Sequence, residues 1–221
     1  LYNAELTCTG EYQEVPEIPV TEISVEASEA ADKIRSLSGR NRVVVTGNCD
    51  YEIISQIGNA LKENQFAQIL LDLSGTEGLT WFLQNAFAYN NSLVEITLPD
   101  SVIDFGWGAF VQCRQLKTVH SLGSVSKLKE HTFECCENLQ SVTIPSTVET
   151  IESWSFHFCG LKQILIPASV TDIWFSAFQG CYNLMDIQVS SENTSYSAEG
   201  GILYNYDKTV LHSWPSANGD V

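Results

Sequence analysis

One pattern recurs roughly every 22 or 23 residues through the second half of this sequence, and it constrains the fold more than any other feature. Five segments restate it: LVEITLPDSV from Leu93, LKTVHSLGSV from Leu116, LQSVTIPSTV from Leu139, LKQILIPASV from Leu161 and LMDIQVSSEN from Leu184. A unit this short cannot bury its apolar face alone, whereas stacked units share a continuous core. The sequence therefore predicts a solenoid.

Phenylalanine and cysteine recur in the same register as the leucines. We expect both to form buried columns, because residues one repeat apart should lie about 5 Å apart, as adjacent strands do. A linear column of thiols does not converge on one point, as zinc requires, so the cysteines are predicted to be small core residues. The two sets are Phe87, Phe110, Phe133, Phe156 and Phe178, and Cys113, Cys136, Cys159 and Cys181, with Asn90 at the earlier equivalent position.

Each repeat opens with the apolar spacing of a short strand in a parallel sheet. In LVEITL, Leu93, Ile96 and Leu98 are predicted to point inward, and Glu95 and Thr97 outward. A proline usually ends the strand, and Ala-Phe-x-x-Cys near the end of the repeat predicts a short helical turn. The repeat from Leu116 has His-Ser-Leu where Thr-Ile-Pro is expected, so its strand should end differently.

The segment before the repeats predicts an α/β cap, which an end repeat needs because its core face would otherwise meet water. We expect a helix from about Ala27 to Leu37, a strand from Val43 to Thr46, and a second helix after Asp50, whose side chain can cap its first turn. The run AQILLDLSG supplies the next strand. The predicted division is an acidic, proline-containing tether (1–22), the cap (23–68), the repeats (69–192) and a hairpin-like insertion or cap (193–221).

Beyond Leu184 the repeat gives way to turn signals at Gly200, Gly201 and residues 205–208, which predict a hairpin. The sequence ends at SANGDV, close to where another repeat strand would begin. We expect either a continuation of the natural protein or a terminal cap. Cys8 and Cys49 lie outside the repeats, and either a disulfide or two free thiols is compatible with the sequence.

Composition and motifs exclude several classes of function. The chain carries 27 acidic and 11 basic residues, a net charge of −16, which disfavours nucleic acid and anionic membranes as partners. No apolar run reaches the roughly 18 to 20 residues of a transmembrane helix. No glycine-rich phosphate loop occurs, and no nucleophile motif surrounds any of the four histidines or seven cysteines. The sequence therefore predicts no enzyme, no cofactor and no metal site.

The repeats resemble the BspA-like family of bacterial leucine-rich-repeat proteins, whose unit runs close to L-x-x-I-x-I-P-x-S-V-x-x-I-x-x-x-A-F-x-x-C. LQSVTIPSTVETIESWSFHFC and LKQILIPASVTDIWFSAFQGC match it nearly throughout. The resemblance covers about residues 66–214. It implies the α/β fold class, a right-handed leucine-rich-repeat solenoid with an N-terminal helix–strand cap. The solenoid should contain five to six repeats of about 22–23 residues each.

The same resemblance implies an exported bacterial protein at the cell surface, in the extracellular space or in the periplasm. It implies a protein partner, such as host extracellular matrix or another cell surface, and a role in adhesion. Two alternatives remain open. A glycan-binding protein would have exposed tryptophans along a groove, and a hydrolase would have a pocket with a perturbed histidine or cysteine.

Two groups of residues are candidate binding surfaces. The outward strand positions should form a polar concave face, with Leu70 displayed beside Asp72 and His120 opposite Thr97. Such a face is the usual binding face of a solenoid. Aromatic residues outside the core pattern are either hot spots for a partner or partly buried between neighbouring segments. The first group is Asp72, Glu95, Thr97, Thr118, His120, Ser141, Thr143, Gln163, Asp186 and Gln188, and the second is Trp107, Trp154, Trp174 and Phe175.

Overall fold

The computed structural model describes residues 4–6, 12–14 and 19–213 of the chain. Two helices lie among these residues, both ahead of the repeats: α1 (Ala27–Ser36) and α2 (Tyr51–Glu63). The strands, in chain order, are β1 (Ala4–Leu6), β2 (Tyr12–Glu14), β3 (Thr21–Glu26), β4 (Gly39–Asn48), β5 (Ala67–Glu77), β6 (Trp81–Phe82), β7 (Leu93–Leu98), β8 (Asp104–Phe105), β9 (Thr118–Leu122), β10 (Lys127–Leu128), β11 (Ser141–Val142), β12 (Thr150–Ile151), β13 (Gln163–Ile166), β14 (Asp172–Ile173), β15 (Asp186–Val189), β16 (Tyr196–Glu199), β17 (Ile202–Asn205) and β18 (Leu211–Ser213).

The repeats contribute one strand each to a parallel sheet, which the cap extends. Six strands pair in the order β11-β9-β7-β5-β4-β3, and β13 and β15 form a further parallel pair. On the other side of each repeat, the two-residue return strands pair as β6-β8 and as β10-β12-β14. The fold is therefore the α/β leucine-rich-repeat solenoid that the sequence predicted.

The core consists of side chains stacked in columns between these two sets of strands. Rings of the phenylalanine column (Phe87, Phe110, Phe133, Phe156 and Phe178) stack face to face, with successive centroids 5.3, 5.3, 5.5 and 5.4 Å apart. All five rings are buried, as are the leucines that open the repeats. Each inner ring contacts one ring of the preceding repeat and one of the next, so no repeat has a complete core of its own.

The segment around each phenylalanine is a series of tight turns, where the sequence predicted a short helical turn. Two positions in every repeat adopt positive φ angles of 55–75°: Asn85, Gly108, His131, Trp154 and Ser176, and four residues later Tyr89, Gln112, Cys135, Phe158 and Gly180. These angles turn backbone N–H groups toward the next repeat. Phe87 donates to the carbonyl of Ala109, and Phe110 to that of Thr132, each at 2.9 Å. The turns are thereby hydrogen-bonded along the stack, as the strands are.

Strand β9 departs from its neighbours at His120. Ile96 faces Val119, but Thr97 faces Ser121, so His120 is the extra residue of a β-bulge. The bulge places Leu122 in the core, where it is fully buried. The altered strand end that His-Ser-Leu predicted is therefore present. Strand β11 pairs with β9 only before the bulge, at Ser141 and Val142, which leaves β11 short.

The cap docks its second helix onto the first repeat. Asp50 caps α2 as predicted, accepting hydrogen bonds from the backbone N–H groups of Glu52 and Ile53. Two repeat side chains bind carbonyls of α2: Asn90 Nδ2 donates to Gly58 at 3.2 Å and Ser92 Oγ to Leu61 at 2.6 Å. Asn90, which replaces cysteine in this repeat, thus joins the cap to the stack.

The strands of the N-terminal segment were not predicted. Strand β3 begins at Thr21, inside the segment assigned to the tether, and pairs in parallel with β4. Strands β1 and β2 pair antiparallel within the same segment. The alternation of β3 is weak, because the strand lies at the edge of the sheet and buries little of either face.

The predicted hairpin covers the last repeat with three antiparallel strands, β16, β17 and β18. Asn193 donates to the carbonyls of Pro167 and Val170 at 2.8 and 2.9 Å, and the Tyr196 hydroxyl accepts from the Ile173 N–H at 2.8 Å. These side chains satisfy backbone groups that another repeat would otherwise bind. Strand β16, with the polar sequence YSAE, was missed because it carries no apolar alternation.

The docking of the cap predicts an unusual effect of Gly58→Ala. Glycine to alanine in a helix normally stabilises by about 1 kcal/mol. Here a β-carbon would collide with the carbonyl oxygen of Ala86. We expect the substitution to lower the free energy of unfolding by about 1–3 kcal/mol, the usual cost of overpacking. Urea denaturation measures it, with Asn59→Ala on the exposed side of the same helix as the control. Stabilisation by Gly58→Ala would show that the helix does not dock as described.

Candidate functional site

The outward side chains of the parallel strands form one polar surface, the sheet face. Glu95 of β7 lies in register with Thr118 of β9, and Thr118 with Ser141 of β11. Gln163 and Asp186 are partners in the same way on β13 and β15. None of the ten residues predicted for this face is buried.

Glu95 contacts a histidine and an arginine on the sheet face. Its carboxylate lies 2.7 Å from Nε2 of His120 and 3.9 Å from a guanidinium nitrogen of Arg40, and its side chain is 20% exposed. Arg40 comes from the cap, so the cluster joins β4 to two repeats. The sequence did not indicate this cluster, because Glu95 and His120 are 25 residues apart, which is longer than one repeat and depends on the bulge.

Two details of the expected face are corrected by the structure. Leu70 was expected to be displayed beside Asp72, but it is 5% exposed and lies in register between Arg42 and Glu95. His120 was expected opposite Thr97, a place that Ser121 takes because of the bulge. The face is therefore more polar beside the cap than predicted.

A gap interrupts the sheet face between β11 and β13, which do not pair. A groove of about 440 Å³ extends across the first residues of β11, β13 and β15, lined by Gln140, Ser141, Lys162, Gln163, Met185 and Asp186. The gap follows from the bulge in β9, because the shortened β11 offers few backbone groups to the next strand. The sheet face thus consists of two hydrogen-bonded sections, and a polar groove extends from the last strand of the first section across the start of the second.

The four predicted aromatic residues lie on the turn side and are accessible. Trp107, Trp154 and Trp174 are 47%, 38% and 40% exposed, and Phe175 is 88% exposed. The His131 ring stacks on Trp154 at 5.2 Å and meets Trp107 edge-on at 6.4 Å. The tryptophans are therefore partly packed and partly exposed, which combines the two predicted alternatives.

Glu134 joins two histidines on the same side of the molecule. Its carboxylate oxygens lie 2.8 Å from Nδ1 of His131 and 3.0 Å from Nδ1 of His157. The His157 side chain is 16% exposed, so it is partly buried in this cluster. Glu134 and His157 are 23 residues apart, which is the length of one repeat. The repeat period was therefore sufficient to predict that these two residues are neighbours in adjacent repeats.

The cysteine column is chemically protected. Each thiol donates to the carbonyl of the phenylalanine in the preceding repeat, at distances of 2.9, 3.1, 3.0 and 2.9 Å. Burial raises the pKa of Cys113 and of Cys181 to about 12, and it raises the pKa values of Cys136 and Cys159 well above the usual value. These thiols therefore stay protonated at neutral pH. They are unreactive core residues, because the thiolate is the reactive form.

Outside the column, the described residues contain Cys49 and Cys135, and both have raised pKa values. Burial raises the pKa of Cys135, and the carboxylates of Glu134 and Glu137 raise it further, which is the opposite of nucleophile activation. Cys49 is a buried free thiol, while Cys8, its possible disulfide partner, lies outside the described residues. Within the described part of the chain, no group of three histidine, cysteine, aspartate or glutamate side chains could hold a metal ion.

Comparison with protein families identifies the repeat. The family described as "BspA type Leucine rich repeat region" matches residues 56–185 in six copies. The chain belongs to this family. The match begins within α2, so the first copy includes part of the helix that docks on the repeats.

Solved structures of bacterial leucine-rich-repeat proteins are similar to this chain. A protein from Eubacterium ventriosum is 27% identical over 78% of this chain and 45% of its own, with a TM-score of 0.60. The T. pallidum leucine-rich-repeat protein is 29% identical over 57% of this chain and 59% of its own, with a TM-score of 0.51. A leucine-rich cell surface protein from Faecalibacterium prausnitzii, 24% identical, covers 77% of this chain and 50% of its own at a TM-score of 0.53, and supports the fold alone.

This chain thus spans about half the length of the proteins that it matches. No curated protein gave a match. Neither α1 nor α2 is long and apolar enough to cross a membrane, and these are the helices of the described residues.

The protected column predicts a pH dependence of stability. An unfolded cysteine ionises above its ordinary pKa of 9.0, whereas folded Cys113, with its pKa at about 12, keeps its proton. The stabilisation from this thiol is therefore complete below pH 9 and is lost as the pH rises toward 12. We expect the stability difference between the wild type and Cys113→Ala to narrow by about 1.4 kcal/mol per pH unit above pH 9.

Urea denaturation of both proteins between pH 7.5 and 10.5 measures that difference. Lysines and tyrosines titrate alike in the two proteins, so the difference isolates the thiol. A difference that stays constant with pH would mean that Cys113 is not shielded from water.

Proposed function

We propose that this chain is a non-enzymatic protein-binding module and that its partner binds the sheet face. The observation that carries the proposal is the register of outward polar side chains across consecutive strands, from Glu95 through Thr118 to Ser141. Such a surface offers hydrogen-bonding groups at a fixed spacing of about 4.8 Å across the strands. Leucine-rich-repeat proteins mediate protein interactions, which favours the same function.

The proposed setting is outside the bacterial cytoplasm, with adhesion to a host protein or to another cell as the role. The family and the bacterial leucine-rich-repeat proteins of similar fold support this setting. The net charge of −16 favours a partner with a basic surface over one with an acidic surface.

A hydrolase is the least supported alternative. The cysteine column is buried and protonated, and the carboxylates beside Cys135 oppose thiolate formation. A glycan-binding protein is better supported, because two exposed tryptophans line one groove on the turn side.

The proposal predicts the effect of adding positive charge to the sheet face. The test immobilises the chain and measures the binding of a panel of purified extracellular matrix proteins and mucins. We expect at least one to bind, and the triple variant Thr118→Lys, Ser141→Lys, Gln163→Lys to weaken that binding about tenfold or more, because three long cations would occupy the centre of the face.

A matched control adds the same charge elsewhere. Asn59→Lys, Thr171→Lys and Gln179→Lys alter three exposed residues that lie on none of the strands of the sheet. We expect this control variant to bind almost as the wild type does. Equal losses in both triple variants would indicate a general charge effect, and no loss in the sheet-face variant would place the binding site elsewhere.

A further inference from the structure

A second candidate site lies on the turn side, away from the sheet face. Between the first two return segments, a groove of about 560 Å³ lies among Trp81, Leu83, Gln84, Asp104, Trp107 and Lys129, the tryptophan groove. This volume is typical of small-molecule sites, which range from about 300 to 1,000 Å³. The groove is formed where Gly106 allows the second repeat to approach the backbone of Gln84 closely.

Contacts outside the groove orient both tryptophan rings. Trp81 stacks on Tyr51 of α2, with centroids 5.1 Å apart and an angle of 18° between the planes. Trp107 meets the ring of His131 edge-on at 6.4 Å, and His131 in turn stacks on Trp154. Trp81 and Trp107 nevertheless remain 45% and 47% exposed. The groove therefore has aromatic surfaces that are held in place before any ligand binds, which lowers the entropic cost of binding.

The polar groups of the groove form a neutral set. Lys129 Nζ lies 2.7 Å from a carboxylate oxygen of Asp104, and the two side chains are 30% and 57% exposed. Their opposite charges cancel within the groove, although each keeps hydrogen-bonding capacity toward solvent. Gln84 adds an amide, which is both a donor and an acceptor. The groove thus offers aromatic surfaces beside mixed donors and acceptors, without a net charge.

A neutral pyranose has the chemistry that matches this arrangement. Its C–H faces are apolar and pack on aromatic rings, while its hydroxyl groups lie around the edge and both donate and accept hydrogen bonds. A lysine or arginine side chain fits less well, because Asp104 is already paired with Lys129. An acidic sugar fits less well too, since the chain as a whole carries a charge of −16.

We propose that the tryptophan groove is a binding site for neutral glycans, with Trp81 and Trp107 as stacking surfaces and Gln84, Asp104 and Lys129 as hydrogen-bonding groups. The site is independent of the sheet face, so the chain can bind a glycan and a protein on separate surfaces. A glycoprotein could engage both.

The test begins with an array of neutral and acidic oligosaccharides. Neutral trisaccharides that bind are then titrated while tryptophan fluorescence is followed, with chitotriose, cellotriose and maltotriose as the defined probes. We expect Trp107→Ala to weaken binding about tenfold or more, as removal of an aromatic anchor does. Asp104→Asn should also weaken binding, because it breaks the ion pair that orients Lys129.

Matched controls separate this site from exposed aromatic residues in general. Trp174→Ala removes a tryptophan of similar exposure that neither lines the groove nor stacks on His131, and we expect this variant to bind glycan as the wild type does. Trp81→Ala also removes the stacking with Tyr51, so its thermal unfolding is measured beside its affinity. If the Trp81→Ala variant unfolds, the effect of Trp107→Ala on affinity decides the test.

The same experiment also tests two other classes of ligand, a basic peptide and a proline-rich peptide. Pentalysine and decaproline are titrated under identical conditions at 50 and 500 mM NaCl. Neutral-glycan binding should be insensitive to salt, because screening acts on charged partners. The proposal is overturned if no neutral glycan on the array binds, if Trp107→Ala retains full affinity, or if only pentalysine or decaproline binds the groove.

Discussion

The contact between each repeat and its two neighbours is the interaction on which the rest of the structure depends. Five phenylalanine rings stack at 5.3–5.5 Å, and each buried thiol donates to a carbonyl one repeat back. Because no repeat can bury its own side chains, stability is a sum of such interfaces, and both ends need covering. The cap covers one end through α2, Asn90 and Ser92, and the hairpin covers the last repeat through Asn193 and Tyr196.

This architecture also explains where the candidate sites lie. A column of side chains fills the space between strands and turns, so the charged side chains of the described residues all lie toward the outer surfaces. The sheet face repeats one pair of outward positions per strand, which suits an extended partner. The tryptophan groove arises where the pattern is irregular, next to the cap, and has the size of a small ligand. The two surfaces therefore differ in scale as well as in chemistry.

The sequence was sufficient for the columns, the repeat strands, both helices and the Asp50 cap, because each depends on spacing within one segment or on the period. It also located the departure at His120. The turn geometry was not predictable, since the left-handed positions hold residues as different as Asn85, His131 and Trp154, which are constrained by hydrogen bonds between repeats and not by their own preferences. The tryptophan groove depends on how Tyr51 of the cap meets Trp81, a long-range contact that no periodicity encodes. The gap between β11 and β13 follows from the β-bulge in the neighbouring strand β9, and it was not predictable from the sequence either.

A pair of double-mutant cycles tests the stacked column most directly. Phe110→Leu and Phe133→Leu alter rings that touch, whereas Phe87→Leu and Phe156→Leu alter rings separated by two others. Urea denaturation gives the free energy of unfolding for each single and double variant. We expect a coupling energy of about 0.5–1.5 kcal/mol for the touching pair and additivity within about 0.5 kcal/mol for the separated pair. Equal coupling in both pairs, or none in the touching pair, would contradict the column of nearest-neighbour contacts.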